Sequence, residues 1–215
     1  MPTVSDPHAG QPVLRLGASL KDARLVAIML HGRGASAEDI LGLAHQFSAS
    51  DVAYVAPQAA GSTWYPYAFL APIAQNEPWL GSALRVIAGL VEDFARQAVP
   101  AERIVLMGFS QGACLTLEFA ARHAQRYAAV VAFTGGLIGP PGAPRDYAGG
   151  FARTPVFIGS SDVDPHVPLE RVHESTAVFR RMGATVDERI YPRMGHTINS
   201  DELQAADALL AGGRR

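Results

Sequence analysis

The chain has one cysteine, Cys114, in 215 residues. A single thiol cannot close an intrachain disulfide, so the fold must rest on noncovalent burial and owes nothing to an oxidising compartment. Long apolar runs are also missing. Leu25–Leu30 and Ala128–Phe133 are only strand-sized, far short of the ~18–20 residues that cross a bilayer, so no membrane span is expected. Charge of one sign is scarce: 18 Lys and Arg face 20 Asp and Glu, a formal net charge of −2. With no basic cluster there is no footprint for nucleic acid, and Arg180-Arg181 and Arg214-Arg215 read as solvated charge. Met1 to Leu20 lacks a basic start followed by an apolar core of about 7–15 residues, the mark of a signal peptide. A cytoplasmic location follows as the default. There is no His-Glu-x-x-His, no cysteine pair and no G-x-x-x-x-G-K-[ST], and His166 with His173 has no ligand spacing. Neither a metal nor a cofactor is expected.

What is present is a globular composition, with 48% hydrophobic and 18% charged residues, which suits one domain over 1–215. Residues 1–20 read as an N-terminal extension and 211–215 as a frayed tail. Between them strand-like and helix-like segments alternate. Strands are expected at Leu25–Leu30, Val52–Ala56, Arg103–Met107, Ala128–Phe133, Pro155–Ile158 and Thr185–Tyr191. Helices are expected at Ala37–Phe47, Leu80–Ala98, Gly112–His123, Leu169–Met182 and Asn199–Leu210. That alternation implies an α/β fold, a mostly parallel sheet with helices on both faces. Gln58–Pro78 stands apart as a long ordered loop holding Trp64, Tyr65, Tyr67 and Phe69. Loops of that length in compact domains are usually functional.

Gly108-Phe109-Ser110-Gln111-Gly112 matches G-x-S-x-G, a short pattern that recurs by chance. Its setting is more telling: an apolar strand precedes it and a helix follows, as a nucleophile elbow requires. A serine hydroxyl needs a general base. Of the seven histidines, His196 sits in a loop leaving the last strand, at the same sheet edge as Ser110. His8 lies in the N-terminal tail, and His45, His123 and His173 lie on expected helices. A carboxylate should come from the loop after an intervening strand, where Asp162 and Asp164 both qualify by spacing. The order Ser, Asp, His is that of α/β-hydrolases and differs from chymotrypsin and subtilisin types. In this fold one oxyanion-hole amide comes from the loop after an early strand and the other from the residue after the nucleophile; here these are Arg33 and Gln111. Gly32-x-Gly34-x-x-Ala37 also fits a dinucleotide-binding pattern. The acid needed about 20 residues on, at the end of the next strand, is missing: Val55-Ala56-Pro57-Gln58 has none, and Asp51 lies at the wrong edge.

Leu30-His31-Gly32-Arg33-Gly34, the elbow, Asp164-Pro165-His166-Val167-Pro168 and Met194-Gly195-His196 together resemble the bacterial carboxylesterase/phospholipase family that includes the acyl-protein thioesterases. The likeness runs from about residue 20 to 212. It implies a minimal α/β-hydrolase without a separate lid domain, hydrolysing carboxylic esters or thioesters. It also favours Asp164 over Asp162, because the family's catalytic Asp directly precedes Pro. Arg33 departs from the apolar residue usual after His-Gly, and Ala113 stands where a further glycine is common. A guanidinium beside the acyl site is costly to bury unpaired, which points to small or polar esters rather than long acyl chains.

The expected activity is therefore a serine carboxylesterase acting on a small-molecule ester, with catalytic Ser110, Asp164 and His196. Trp64, Tyr65 and Val167 are the expected substrate-binding residues. A thioesterase or lactone hydrolase would use the same machinery, and a non-catalytic ligand-binding relative is the alternative from another class. An exposed apolar patch could make a homodimer.

Overall fold

A computed structural model describes residues 6–212. The central sheet has seven strands: β1 (Val13–Gly17), β2 (Leu25–Leu30), β3 (Val52–Pro57), β4 (Ile104–Phe109), β5 (Ala129–Phe133), β6 (Pro155–Ser161) and β7 (Thr185–Tyr191). Their order across the sheet is β1-β3-β2-β4-β5-β6-β7. All neighbours run parallel except β1, which pairs antiparallel with β3. Parallel strands covered on both faces need apolar residues on both faces. Accordingly every residue of β2, β3 and β5 is buried.

Alternate side chains divide the core into two layers. Val26, Ile28 and Leu30 pack with helices α2 (Trp79–Arg96), α3 (Gln111–Arg122) and α4 (Leu169–Arg181). Ala27 and Met29 face the other way, toward α1 (Ala37–Leu41) and α5 (Ser200–Ala211). The mostly parallel α/β architecture expected from the sequence is the one observed, with helix and strand boundaries shifted by a few residues.

Three segments differ from expectation. Within the described residues, the expected N-terminal extension is part of the domain from residue 6 on: Leu14 and Arg15 pair with Ala56 and Val55. As an edge strand, β1 exposes four of its five residues, so the alternation that betrays a strand is absent from its sequence. His8 is likewise buried, accepting a hydrogen bond from Ala60 N–H and donating one to the Trp64 carbonyl. Burial lowers its pKa, in keeping with a neutral ring. The expected helix at Ala37–Phe47 is α-helical only to Leu41, then tightens into a 3₁₀ turn over Gly42–Gln46. The expected tail lies partly outside the described residues; within them α5 continues to Ala211.

Glu202 in α5 is wholly buried. With Asn199 it forms a reciprocal cap: Asn199 N–H donates to Oε2, and Glu202 N–H donates to Asn199 Oδ1, both at 2.9 Å. Its other oxygen has no hydrogen-bond partner and abuts Gly159 of β6. Burial pushes the carboxyl up to about 7, against the pull of the Asn199 hydrogen bond. An acid raised from 4.5 in this way is harmless below pH 4.5, where folded and unfolded chains are both protonated. It destabilises the fold increasingly as pH climbs to about 7. Glu202→Gln keeps the acceptor and removes the ionisation. It is expected to stabilise the protein by about 2 kcal/mol at pH 8 and by little at pH 5, as read from melting curves. An equal shift at both values would contradict this account.

Candidate active site

Between β4 and α3 the chain reverses within one residue. Ser110 takes φ 55 and ψ −118, a strained conformation for a residue with a side chain. Its N–H donates to the Phe133 carbonyl on neighbouring β5. The turn closes because Gly108 and Gly112 have no side chains. A Cβ on Gly108 would strike the Gly112 backbone, and one on Gly112 would strike the carbonyls of Leu30 and His31. The hydroxyl is thereby held at the carboxyl edge of the sheet and at the N-terminal end of α3, where unpaired amides favour negative charge.

His196 arrives from the loop between β7 and α5. That loop is shaped by Asp162, whose Oδ1 accepts the Arg193 N–H at 2.7 Å, with Arg193 at φ 54. Asp162 thus caps the turn and does not touch the imidazole. Asp164 does: His196 Nδ1–H donates to Asp164 Oδ2 at 2.7 Å, and Ser110 Oγ–H donates to His196 Nε2 at 2.7 Å. Asp164 Oδ1 accepts the N–H groups of His166 and Val167, each at 2.8 Å, and its side chain is fully buried. Burial alone would raise the Asp164 pKa. The bonds from His166, His196 and Val167 outweigh it and hold the carboxyl below its ordinary value, so it stays ionised beside the imidazole.

The loop after β2 lies against the elbow, Gly32 packing beside Phe109 and Ser110. His31 sits buried beneath it, Nδ1–H donating to the Gly32 carbonyl at 2.8 Å while Nε2 accepts Ala59 N–H at 3.1 Å. Burial lowers the His31 pKa, which keeps this neutral tautomer. Because the peptide is planar and trans, fixing the Gly32 carbonyl also fixes the direction of the Arg33 N–H.

The Arg33 side chain resolves the cost expected of a guanidinium here. Nη1 donates to Thr63 Oγ1 and the Pro66 carbonyl, Nη2 to the carbonyls of Tyr65 and Tyr67, at 2.8–3.0 Å. It is solvated and satisfied by four oxygens rather than by a carboxylate. Gln111 grips the same loop, its Nε2 donating to the Tyr65 carbonyl and its Oε1 accepting Trp64 N–H.

These elements surround a cleft of about 500 Å³ lined by Arg33, Tyr65, Phe69, Ser110, His166, Val167 and His196, among others. That volume is ordinary for a small-molecule site. Of the residues expected to bind substrate, Tyr65 and Val167 are in the lining of the cleft. Trp64 does not: it is fully buried away from the cleft, its Nε1–H donating to the His31 carbonyl. Its contribution is to hold the loop from behind. Motif reasoning passes over two rings that touch His196. Phe109 packs on it at a centroid distance of 5.2 Å, and His166 meets it edge-on at 4.7 Å. Among the described residues, no group of three or more His, Cys, Asp or Glu side chains could hold a metal ion, and no helix is long and apolar enough to cross a membrane.

Residues 16–211 match the family described as phospholipase/carboxylesterase. The chain belongs to this family of α/β-hydrolases. It is thus a serine hydrolase of ester bonds. The hydrolase is 43% identical to a phospholipase/carboxylesterase from Dyadobacter fermentans, whose crystal structure superposes with a TM-score of 0.90 over 98% of this chain and 99% of that one. It is 26% identical to acyl-protein thioesterase 1 of Debaryomyces hansenii, over 92% of this chain and 94% of the relative. A Bacillus cereus carboxylesterase shares the fold at 19% identity, with a TM-score of 0.74 over 95% of each chain.

The elbow packing makes a direct prediction for the hydrolase. Gly112→Ala forces a methyl group into the β2 backbone, and overpacking of that kind costs roughly 1–3 kcal/mol. Thermal denaturation should show the loss, with esterase activity falling alongside it. A variant with wild-type melting and activity would mean the elbow is not sterically closed.

Proposed function

We propose that the chain hydrolyses small to medium carboxylic esters through an acyl-enzyme formed on Ser110. The observation that carries this reading is the unbroken hydrogen-bond chain Ser110–His196–Asp164, at 2.7 Å for both links. In the first half-reaction Ser110 Oγ attacks the ester carbonyl carbon while His196 Nε2 takes its proton. Asp164 keeps the imidazole in the tautomer that accepts at Nε2 and stabilises the imidazolium that forms. The negative charge on the former carbonyl oxygen falls to the amides of Arg33 and Gln111. Gln111 is the first residue of α3, so its N–H has no partner within the helix. The tetrahedral intermediate collapses, the C–O bond to the alcohol breaks, and His196 returns the proton to the leaving oxygen. Water then repeats the sequence on the acyl-enzyme, losing its proton to His196 and releasing the carboxylic acid and free Ser110.

Nothing in this sequence of steps discriminates an oxygen leaving group from a sulfur one. The full-length similarity to a yeast acyl-protein thioesterase 1 supports thioester hydrolysis as a second reading on the same residues. The modest volume of the cleft, about 500 Å³, and the polar Arg33 at its wall support short or polar acyl groups over long ones.

A fluorophosphonate probe should label purified protein at Ser110 alone, located by peptide mass spectrometry. Ser110→Ala should abolish labelling and lower kcat for a 4-nitrophenyl ester by at least about 10³-fold, the scale on which a triad nucleophile acts. Retention of most esterase activity in Ser110→Ala would end the proposal.

A further inference from the structure

The cleft lining includes one arginine, Arg33, and two histidines, His166 and His196, but no aspartate or glutamate. The carboxylate nearest in the chain of contacts, Asp164, is fully buried behind the imidazole, its oxygens taken by His196, His166 and Val167. Arg33 is exposed. A guanidinium is a permanent cation, and the four oxygens that accept from Nη1 and Nη2 belong to one hydroxyl and three carbonyls. Neutral oxygens satisfy the N–H groups and leave the charge in place. Arg24, Arg145 and Arg171 likewise donate to main-chain carbonyls, those of Leu210, Ile138 and Leu137. Each of these has a carboxylate partner as well, Asp51 for the first and Glu174 for the other two. Arg33 has no such partner among the described residues, and its fifth donor, Nε–H, is not engaged there either.

The same four bonds fix where the charge sits. At 2.8–3.0 Å they hold both ends of the guanidinium fork, so the cation is already in place before any ligand arrives and little ordering remains to be done on binding. The Arg33 amide is a proposed oxyanion donor, which puts the guanidinium within one side chain of the reacting carbonyl. A cleft lined by charge of one sign concentrates ligands of the other sign. A carboxylate on the substrate would supply the counter-charge that the protein omits.

We propose that Arg33 is a specificity-determining residue whose uncompensated charge selects esters that carry a carboxylate, on the acyl or the alcohol side. The substrates are then half-esters of dicarboxylic acids or acylated hydroxy acids, rather than neutral alkyl esters. The inference rests on the acyl-enzyme reading above.

The test pairs each carboxylate ester with a methyl ketone of the same shape, so that the two differ in charge. On the acyl side these are monomethyl succinate with methyl 4-oxopentanoate, and monomethyl glutarate with methyl 5-oxohexanoate. On the alcohol side they are acetoxyacetate with acetoxyacetone, and 4-acetoxybutanoate with 5-acetoxypentan-2-one. Acid release is followed at neutral pH and low salt, and kcat/KM is expressed as the ratio of anionic to neutral ester. Wild-type protein should favour the anion by about tenfold in at least one arm, and that arm identifies the side that carries the carboxylate. Raising the ionic strength from about 0.01 M to about 1 M shortens the Debye length from roughly 30 Å to roughly 3 Å, and the ratio should fall toward one. Arg33→Gln should bring it to one at low salt. Arg33→Lys, which keeps a cation without the fork, should hold it above the Arg33→Gln value. Loosening of the aromatic loop slows both members of a pair, so a merely structural role leaves the ratio unmoved. Equal use of anionic and neutral esters by the wild type in both arms would overturn the proposal, as would a preference indifferent to salt; neither result depends on a variant that folds. A preference that survives Arg33→Gln would overturn it too. Ser110→Ala on the same esters separates the two claims. Hydrolysis that persists there sinks the acyl-enzyme reading, whereas a flat ratio with a dead Ser110→Ala sinks only the role of Arg33.

Discussion

The tight passage of β4 into α3 is the constraint on which the rest of the structure depends. Two glycines let a strand, a helix and the β2 carbonyls approach more closely than any side chain permits, and the cost is a strained serine between them, of order 1–3 kcal/mol. That strain is absorbed by burial on every side. β4 lies at the middle of seven strands, and all but one residue of α3 are buried. In return the Ser110 hydroxyl projects from a rigid floor, and the loops after β2, β6 and β7 converge on it from the same edge of the sheet. A parallel sheet delivers all its strand-leaving loops to one edge, which is why residues 86 and 32 positions apart in the chain meet within hydrogen-bond range.

Around that floor, single residues serve two positions at once. The Asp164 carboxylate meets the imidazole with one oxygen and straps its own loop with the other. Arg33 and Gln111, whose amides are the proposed oxyanion donors, clamp the Tyr65 carbonyl with their side chains. The aromatic loop, long and with only short 3₁₀ turns at Ala60–Ser62 and Ile73–Asn76, is thus ordered by polar contacts to residues of the elbow and the β2 loop. Asn76, fully buried, closes it from the far side by accepting from Tyr67 N–H and donating to the Ala68 carbonyl.

Much of this was legible in the residues. Continuous apolar runs identified the strands buried on both faces, and the helices between them followed from their spacing. The edge strand β1 was not legible, because exposed residues on both of its faces erase the period-two signal. The buried role of His8 was hidden for a related reason: its partners, Trp64 and Ala60, are more than 50 positions away. Trp64 read as a pocket wall because aromatic residues in loops favour both packing and contact, and only the path of the loop separates the two.

By itself the sequence determined the fold class, the elbow and the order of Ser110, Asp164 and His196, because these are set by local periodicity, by glycine's small size and by chain order. Spacing alone left Asp162 and Asp164 equivalent. Tertiary structure separated them, since β6 directs one carboxylate to the Arg193 amide and the other to the imidazole. It also decided that the Arg33 guanidinium grips carbonyls and that Trp64 lies behind the cleft wall. Those outcomes depend on where side chains from distant segments arrive together, and no single stretch of residues encodes that meeting.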